Sequence, residues 1–296
     1  MITPMPPTGE QFEIGGGAVR AVVTEVGAGL RAFTSAGRSY VETFDVAARP
    51  PRGAGTVLVP WPNRTAGGRW TWNGRTQQLA VSEPAAGNAI HGLLRHTFYR
   101  VGERSDDAIT LHARIAPQPG WPVPLDTSVR YAVDATGLTV THTVRNIGAE
   151  PVPFGIGSHP YLRAGDSATD DCVLTLSAAT TLPLEKGLPV GPEVPVTAEF
   201  VLRDTVLDHA FGGCVPAAGD TLVRHRLEGP GGTVELWAEP DFGWVQVFTP
   251  GDHPGRGRAI AVEPMTCPPD ALNSGAGLIT VGPGEHWTGR WGIRPG

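Results

Sequence analysis

The chain has 296 residues, 40% of them hydrophobic and 18% charged, with a formal net charge of −6. This composition supplies a core and excludes a disordered chain, and the acidic balance argues against the basic stripe that nucleic-acid binding needs. Three cysteines (Cys172, Cys214 and Cys267) without C-x-x-C spacing point to a reduced, cytoplasmic protein, and no stretch approaches the roughly 18 to 20 apolar residues of a membrane span.

Gly 40 and Pro 29 punctuate short apolar runs and form no repeated tract, which predicts many short strands joined by turns. The opening stretch MITPMPPTGEQFEI lacks the basic and apolar regions of a signal peptide. In VLVPWPNRTAGGRW, Asn63-Arg64 follows an apolar run and two prolines. A strand-end arginine either snorkels to solvent or donates to a bound oxygen, and the rigid flanks favour the second use somewhat. GRWTWNGRTQQLAV carries Asn73-Gly74 between two extended stretches, the signal of a two-residue hairpin, with Trp70 and Trp72 on one face.

NAIHGLLRHTFYR places His91 five residues before His96, so on a regular strand they face opposite sides and do not share a metal. From spacing alone His91 reads as a hydrogen-bonded structural histidine. GLTVTHTVRNIG alternates strictly, with Leu138, Val140, His142 and Val144 on one face. In PVPFGIGSHPYLR, glycines approach His159 and Pro160 fixes the exit. Histidine can exchange protons near neutrality. Asp208, in VLDHAFGG, is either a ligand-binding carboxylate or a turn residue bonded to its own backbone.

RAIAVEPMTCPPDALNSG holds the sharpest anomaly: Glu263 directly follows a buried-strand pattern, where a carboxylate is costly to desolvate unless it is paired or used. DHPGRGR reads as a hairpin tip between WVQVFTP and AIAVEP. That hairpin sets Glu263 roughly opposite Trp244 to Gln246 and makes Gln246 a candidate partner for the carboxylate. The final stretch, GEHWTGRWGI, closes the chain as a strand. No composition shift or repeat marks a boundary, so 1–296 reads as one all-β domain, a large antiparallel β-sandwich. H-x-H, H-x-x-H and H-E-x-x-H spacings, G-x-S-x-G and a Walker lysine are all missing, so the specific zinc, nucleophile-elbow and phosphate-loop signatures are absent, while metal ligands converging from distant strands stay open.

In chain order, the N-R pair after an apolar strand, H-G, H-x-Y-L, L-D-x-x-F and V-E-P-M-T-C-P-P-D-A-x-N resemble the aldose 1-epimerase (galactose mutarotase) family. The resemblance runs from about residue 60 to the C-terminus. It implies a galactose mutarotase-like supersandwich with an open cleft, and an enzyme interconverting α and β anomers of a free aldohexose without metal or cofactor. It also implies Glu263 as general base and His159 as general acid, with Arg64, His91 and Asp208 holding the sugar beside Asn63, Gln246 and Trp61. Trp61, beside the Asn63-Arg64 pair, is a candidate for stacking on the ring of a bound sugar. The partner it implies is a monosaccharide of the glucose or galactose class, bound by a monomer or homodimer. Ser158, Leu162, Pro264 and Leu93 depart from the family's usual residues beside these motifs. A hexose-6-phosphate mutarotase is the alternative, needing a basic rim from Arg64, Arg69, Arg95 or Arg163. A non-catalytic carbohydrate-binding sandwich is another, although an acid–base pair favours an enzyme.

Overall fold

Period-two alternation becomes antiparallel ladders throughout the computed structural model, which describes residues 5–296. The strands Leu125–Asp134 and Gly137–Asn146 pair over their whole length, and Leu138, Val140, His142 and Val144 are all buried on one face. Asn73 and Gly74 both take positive φ between Arg69–Trp72 and Arg75–Gln78, so the expected hairpin forms. Asn and Gly tolerate that left-handed region best, which is why this dipeptide turns the chain in two residues.

Two large sheets make the sandwich. The nine-stranded sheet is centred on the C-terminal strand His286–Pro295, which lies between Gly137–Asn146 and Gly232–Ala238. The eight-stranded sheet contains, side by side, Asp208–Gly212, Trp244–Phe248, Ile260–Met265 and Gly157–Ser158. A separate four-stranded sheet begins the chain at Gln11–Gly16. The single α-helix among the described residues is the short turn Ala271–Ser274, and no helix is long and apolar enough to cross a membrane.

The strand Ile260–Met265 is buried on both faces, and its two faces do different things. Ile260 and Val262 join the main core between the sheets. Ala259 and Ala261 point the other way into a small cluster with Phe44 and Tyr161, while Met265 joins a second small cluster with Leu182, Ala210 and Trp244. Glu263 shares their parity and therefore lies on the outer face of the eight-stranded sheet, between these two clusters.

The same parity corrects one expectation. Val57, Val59 and Trp61 all enter the main core, so Trp61 continues the inward alternation. Its side chain is 2% exposed, with its ring 6.0 Å from Trp121, which stacks on Trp70 at 5.2 Å. Burying the indole against Trp121 within the core outweighs presenting it to solvent, and Trp61 cannot stack on a sugar from there.

Candidate active site

Three neighbouring strands lay a row of side chains across the outer face of the eight-stranded sheet. Ala210 pairs with Gln246, and Gln246 pairs with Glu263. Ala210 is covered by its cluster with Leu182, Trp244 and Met265, and Asp208 lies two residues along the same strand, diagonal to Gln246. The expected hairpin register is thus observed, but the expected hydrogen bond is not. Gln246 Nε2 donates to Asp208 Oδ1 at 2.7 Å, across the ladder away from Glu263. Diagonal reach suits a long amide, and the ionised acceptor strengthens the bond. Asp208 opens its strand instead of closing a turn on its own backbone.

His159 follows the short strand Gly157–Ser158, and its backbone is pinned by the 53–56 turn: its N–H donates to the Thr56 carbonyl and its carbonyl accepts from Gly55. The glycine approach admits protein, not ligand, since a Cβ on Gly155 would sit 2.2 Å from Cys267 Sγ. The His159 ring stacks on Tyr161 at 5.3 Å and meets His91 edge-on at 5.5 Å. Its Nε2 lies 3.4 Å from Glu263 Oε1.

Asn63 and His91 clasp each other. The Asn63 N–H donates to His91 Nδ1 at 3.1 Å, and the His91 N–H donates to the Asn63 carbonyl at 2.9 Å. Both residues take positive φ, as does Gly92. The segment is therefore a tight turn after the two-residue strand Ala89–Ile90 and not a continuing strand. This corrects the opposite-sides expectation for His91 and His96, which line the same cavity. A Cβ on Gly92 would lie 2.1 Å from the Val59 carbonyl oxygen, so only glycine lets the turn close.

Arg64 neither snorkels nor waits unpaired. Its Nε and Nη2 donate at 2.8 Å each to the two oxygens of Glu83 in a planar fork. The loop residue Glu83 carries no motif, and nothing in the sequence marks it as this partner. These groups surround a cavity of about 650 Å³, lined by Asn63, Arg64, His91 and His159 on one part of its wall and by Asp208, Gln246 and Glu263 on another. Arg49, Arg52, Arg95 and the 54% exposed Phe98 also line it, none of them a primary candidate from the sequence. Arg69 and Arg163 do not: Arg69 bonds Gln78, and Arg163 pairs with Glu42 and Asp166.

Burial governs the electrostatics. Desolvation holds the Glu263 carboxyl well above its ordinary range; the Asp208 charge adds to this and Arg64 opposes it. Desolvation pulls His159 down to about 4, helped by the Arg95 charge. It also lowers His91 strongly, with His159, Arg95 and Arg64 adding to the effect. The carboxylate is thereby made a stronger base and the imidazolium a stronger acid than either is in water.

His91, His159 and Glu263 present one potential ligand atom each within 4.8 Å of one another. Their hydrogen bonding is that of a proton site, however. A metal-bound histidine donates its second ring N–H to an acceptor, whereas His91 Nδ1 accepts from Asn63, which leaves the ring proton of the neutral imidazole on Nε2. His159 Nδ1 has no hydrogen-bond partner among the described residues.

The chain is 31% identical over 292 residues to YihR of Escherichia coli (strain K12), covering 96% of this chain and 92% of that one. It is 26% identical over 249 residues to YphB of the same strain, covering 80% and 82%. Among solved structures, a galactose mutarotase-like protein from Clostridium acetobutylicum superposes with a TM-score of 0.84 at 16% identity, over 96% of this chain and 94% of that one. The galactose 1-epimerase of Lactobacillus acidophilus NCFM gives 0.74 at 17% identity, over 97% and 94%. At such identities the superpositions establish the galactose mutarotase-like sandwich. The sequence model of the aldose 1-epimerases matches residues 10–294, nearly the whole length, and this chain belongs to the aldose 1-epimerase family.

Proposed function

We propose that the protein is an aldose 1-epimerase that interconverts the α and β anomers of a free aldohexose by acid–base ring opening and closure. The observation that carries this reading is the 3.4 Å separation of His159 Nε2 and Glu263 Oε1 inside a sugar-sized cavity. Two groups that close can address the two oxygens bonded to one anomeric carbon.

Burial favours the neutral form of each partner, so the pair at rest shares one proton, formally as carboxylic acid and imidazole. Transfer of that proton to His159 creates the carboxylate–imidazolium pair, which hydrogen bonds from the sugar favour. Glu263 then takes the proton of the anomeric hydroxyl while the bond from the anomeric carbon to the ring oxygen breaks, and His159 delivers its proton to that ring oxygen. Proton count and charge balance, and the product is the open-chain aldehyde. Rotation about its C1–C2 bond and reversal of both transfers closes the other anomer. Each positioned proton-transfer group contributes a factor of roughly 10² to 10⁴.

His91, with its ring proton held on Nε2, donates to a sugar oxygen, and Arg64, oriented by Glu83, does the same as a fixed cation. Asp208, anchored by Gln246, accepts from a sugar hydroxyl. Polarimetry of freshly dissolved α-D-glucose and α-D-galactose tests the reading. The protein is expected to speed the approach to equilibrium rotation, and Glu263→Gln and His159→Asn are each expected to remove most of the gain. A wild-type protein that accelerates neither these hexoses nor their charged derivatives is not a mutarotase.

A further inference from the structure

The cavity wall is cationic in an acidic protein. Arg49, Arg52, Arg64 and Arg95 line it against Glu83, Asp208 and Glu263, although the whole chain carries −6. Two of these arginines are already satisfied: Arg64 holds Glu83, and Arg52 holds Asp252. Arg95 is different. It is half-buried, and among the described residues its guanidinium has no carboxylate within salt-bridge distance, only a 3.5 Å contact to the Ser82 carbonyl. The other half-buried arginines in the described chain each hold a carboxylate, except Arg31, which donates to the Phe44 carbonyl at 2.9 Å. A guanidinium cannot shed its charge, so leaving one half-desolvated and unpaired costs stability unless a ligand completes it.

Two further groups stand around it. Arg49 lines the same cavity and also lacks a salt-bridge partner among the described residues, and His96 feels the charges of both arginines. Resting on the mutarotase reading above, we propose that the sugar taken by this cavity carries an oxyanion on the arm remote from its anomeric carbon. The anion, a phosphate, sulfate or carboxylate, is bound by Arg95 together with Arg49 and His96. The planar guanidinium fork suits the paired oxygens of any of the three. A cavity of about 650 Å³ holds a hexose with such a group attached.

This placement also ties binding to the chemistry. Arg95 is the charge that adds to burial in depressing His159, and it acts on His91 as well. An oxyanion that neutralises Arg95 lifts that depression and makes His159 easier to protonate when the sugar is in place.

The test is anomer exchange at equilibrium, followed by NMR at low salt, for glucose, glucose 6-phosphate, glucose 6-sulfate and glucuronate. At least one charged sugar is expected to exceed glucose in kcat/KM by about tenfold or more, the scale of one 1.4 kcal/mol contact. The charged sugar that gains most identifies the anion. Arg95→Gln is expected to collapse the charged-to-neutral ratio towards one, and Arg95→Lys to retain part of it. The ratio is taken within each variant, so a general loss of activity does not mimic the effect. Glucose turning over as well as all three charged sugars overturns the proposal, and so does a preference that survives Arg95→Gln. If no sugar exchanges at all, the mutarotase reading falls and calorimetry with the same four sugars decides the anion site. Binding of a charged sugar that Arg95→Gln abolishes upholds the site, and no binding of any charged sugar overturns it.

Discussion

Gln246 and Glu263 face each other across an antiparallel ladder, yet the Gln246 amide turns away and donates to Asp208 at 2.7 Å. Glu263 is thereby left without the Gln246 amide as donor, and its Oε2 has no hydrogen-bond partner among the described residues. A carboxylate that is buried and denied donors is a strong base. The arrangement sacrifices stability at one position and keeps the neighbouring Asp208 oriented.

The first prediction separates that cost from the activity. The carboxyl of Glu263 is raised above its unfolded value, so the folded state holds a proton that the unfolded state has released. Stability therefore falls as pH rises from the ordinary carboxylate range through the folded pKa, at about 1.4 kcal/mol per unit of displacement. Glu263→Gln removes the titration. Its melting temperature is expected to gain on the wild type progressively between pH 5 and pH 8 while its mutarotation is largely lost. A variant less stable than wild type at pH 8 would contradict this account of Glu263.

A second prediction concerns Asp208, whose charge is the next largest cause of the Glu263 shift after burial. Asp208→Asn keeps an acceptor for Gln246 but removes the charge, so the Glu263 pKa falls. With the pair sharing one proton, loss of that proton from Glu263 sets the alkaline limb of the pH profile of kcat/KM, and this limb is expected to move to lower pH. An unmoved limb would mean that another group sets it.

Gly92 provides a purely steric test. Its φ is +72°, and a Cβ there meets the Val59 carbonyl oxygen at 2.1 Å. Gly87 has nearly the same φ, +73°, with nothing within 4 Å of the corresponding Cβ. Gly87→Ala is expected to cost about 1 kcal/mol from the left-handed conformation alone. Gly92→Ala, which must also shift backbone beside His91, is expected to cost more than about 2 kcal/mol in urea denaturation. Equal costs would show that the Val59 contact relaxes freely.

Acid sensitivity follows from the buried histidines. Burial lowers His142 to about 3, and His159 and His225 to about 4. Below about pH 6.5 the unfolded chain binds protons that the folded chain refuses, so the histidine contribution to stability is complete above that pH and is lost as pH drops towards the folded values. At pH 5 each such histidine costs roughly 2 kcal/mol. Urea midpoints are expected to fall steeply between pH 7 and pH 5, and a flat profile would refute the assignment of neutral, buried rings.

Much of the fold was legible because strand alternation is a local property of the backbone. The hairpin at Asn73-Gly74, the inward face of Gly137–Asn146 and the pairing of Trp244–Phe248 with Ile260–Met265 were all expected and all form. The same rule misled for His91 and His96, because a left-handed turn at His91-Gly92 breaks the period that the reading assumed. For Trp61 the rule holds: its inward parity with Val57 and Val59 is present in the sequence and places the indole in the core.

By itself the sequence determined the strands, the family motifs in their order, and that a carboxylate and an imidazole stand at the ends of buried runs. Only the tertiary structure decided what those groups touch. The Arg64–Glu83 fork, the Gln246–Asp208 bond and the lack of a carboxylate beside Arg95 among the described residues join or isolate residues from different strands and loops. Backbone alternation is set residue by residue, at a period of two. The partner of a polar side chain is set by which distant segment packs against it, and no local pattern encodes that choice.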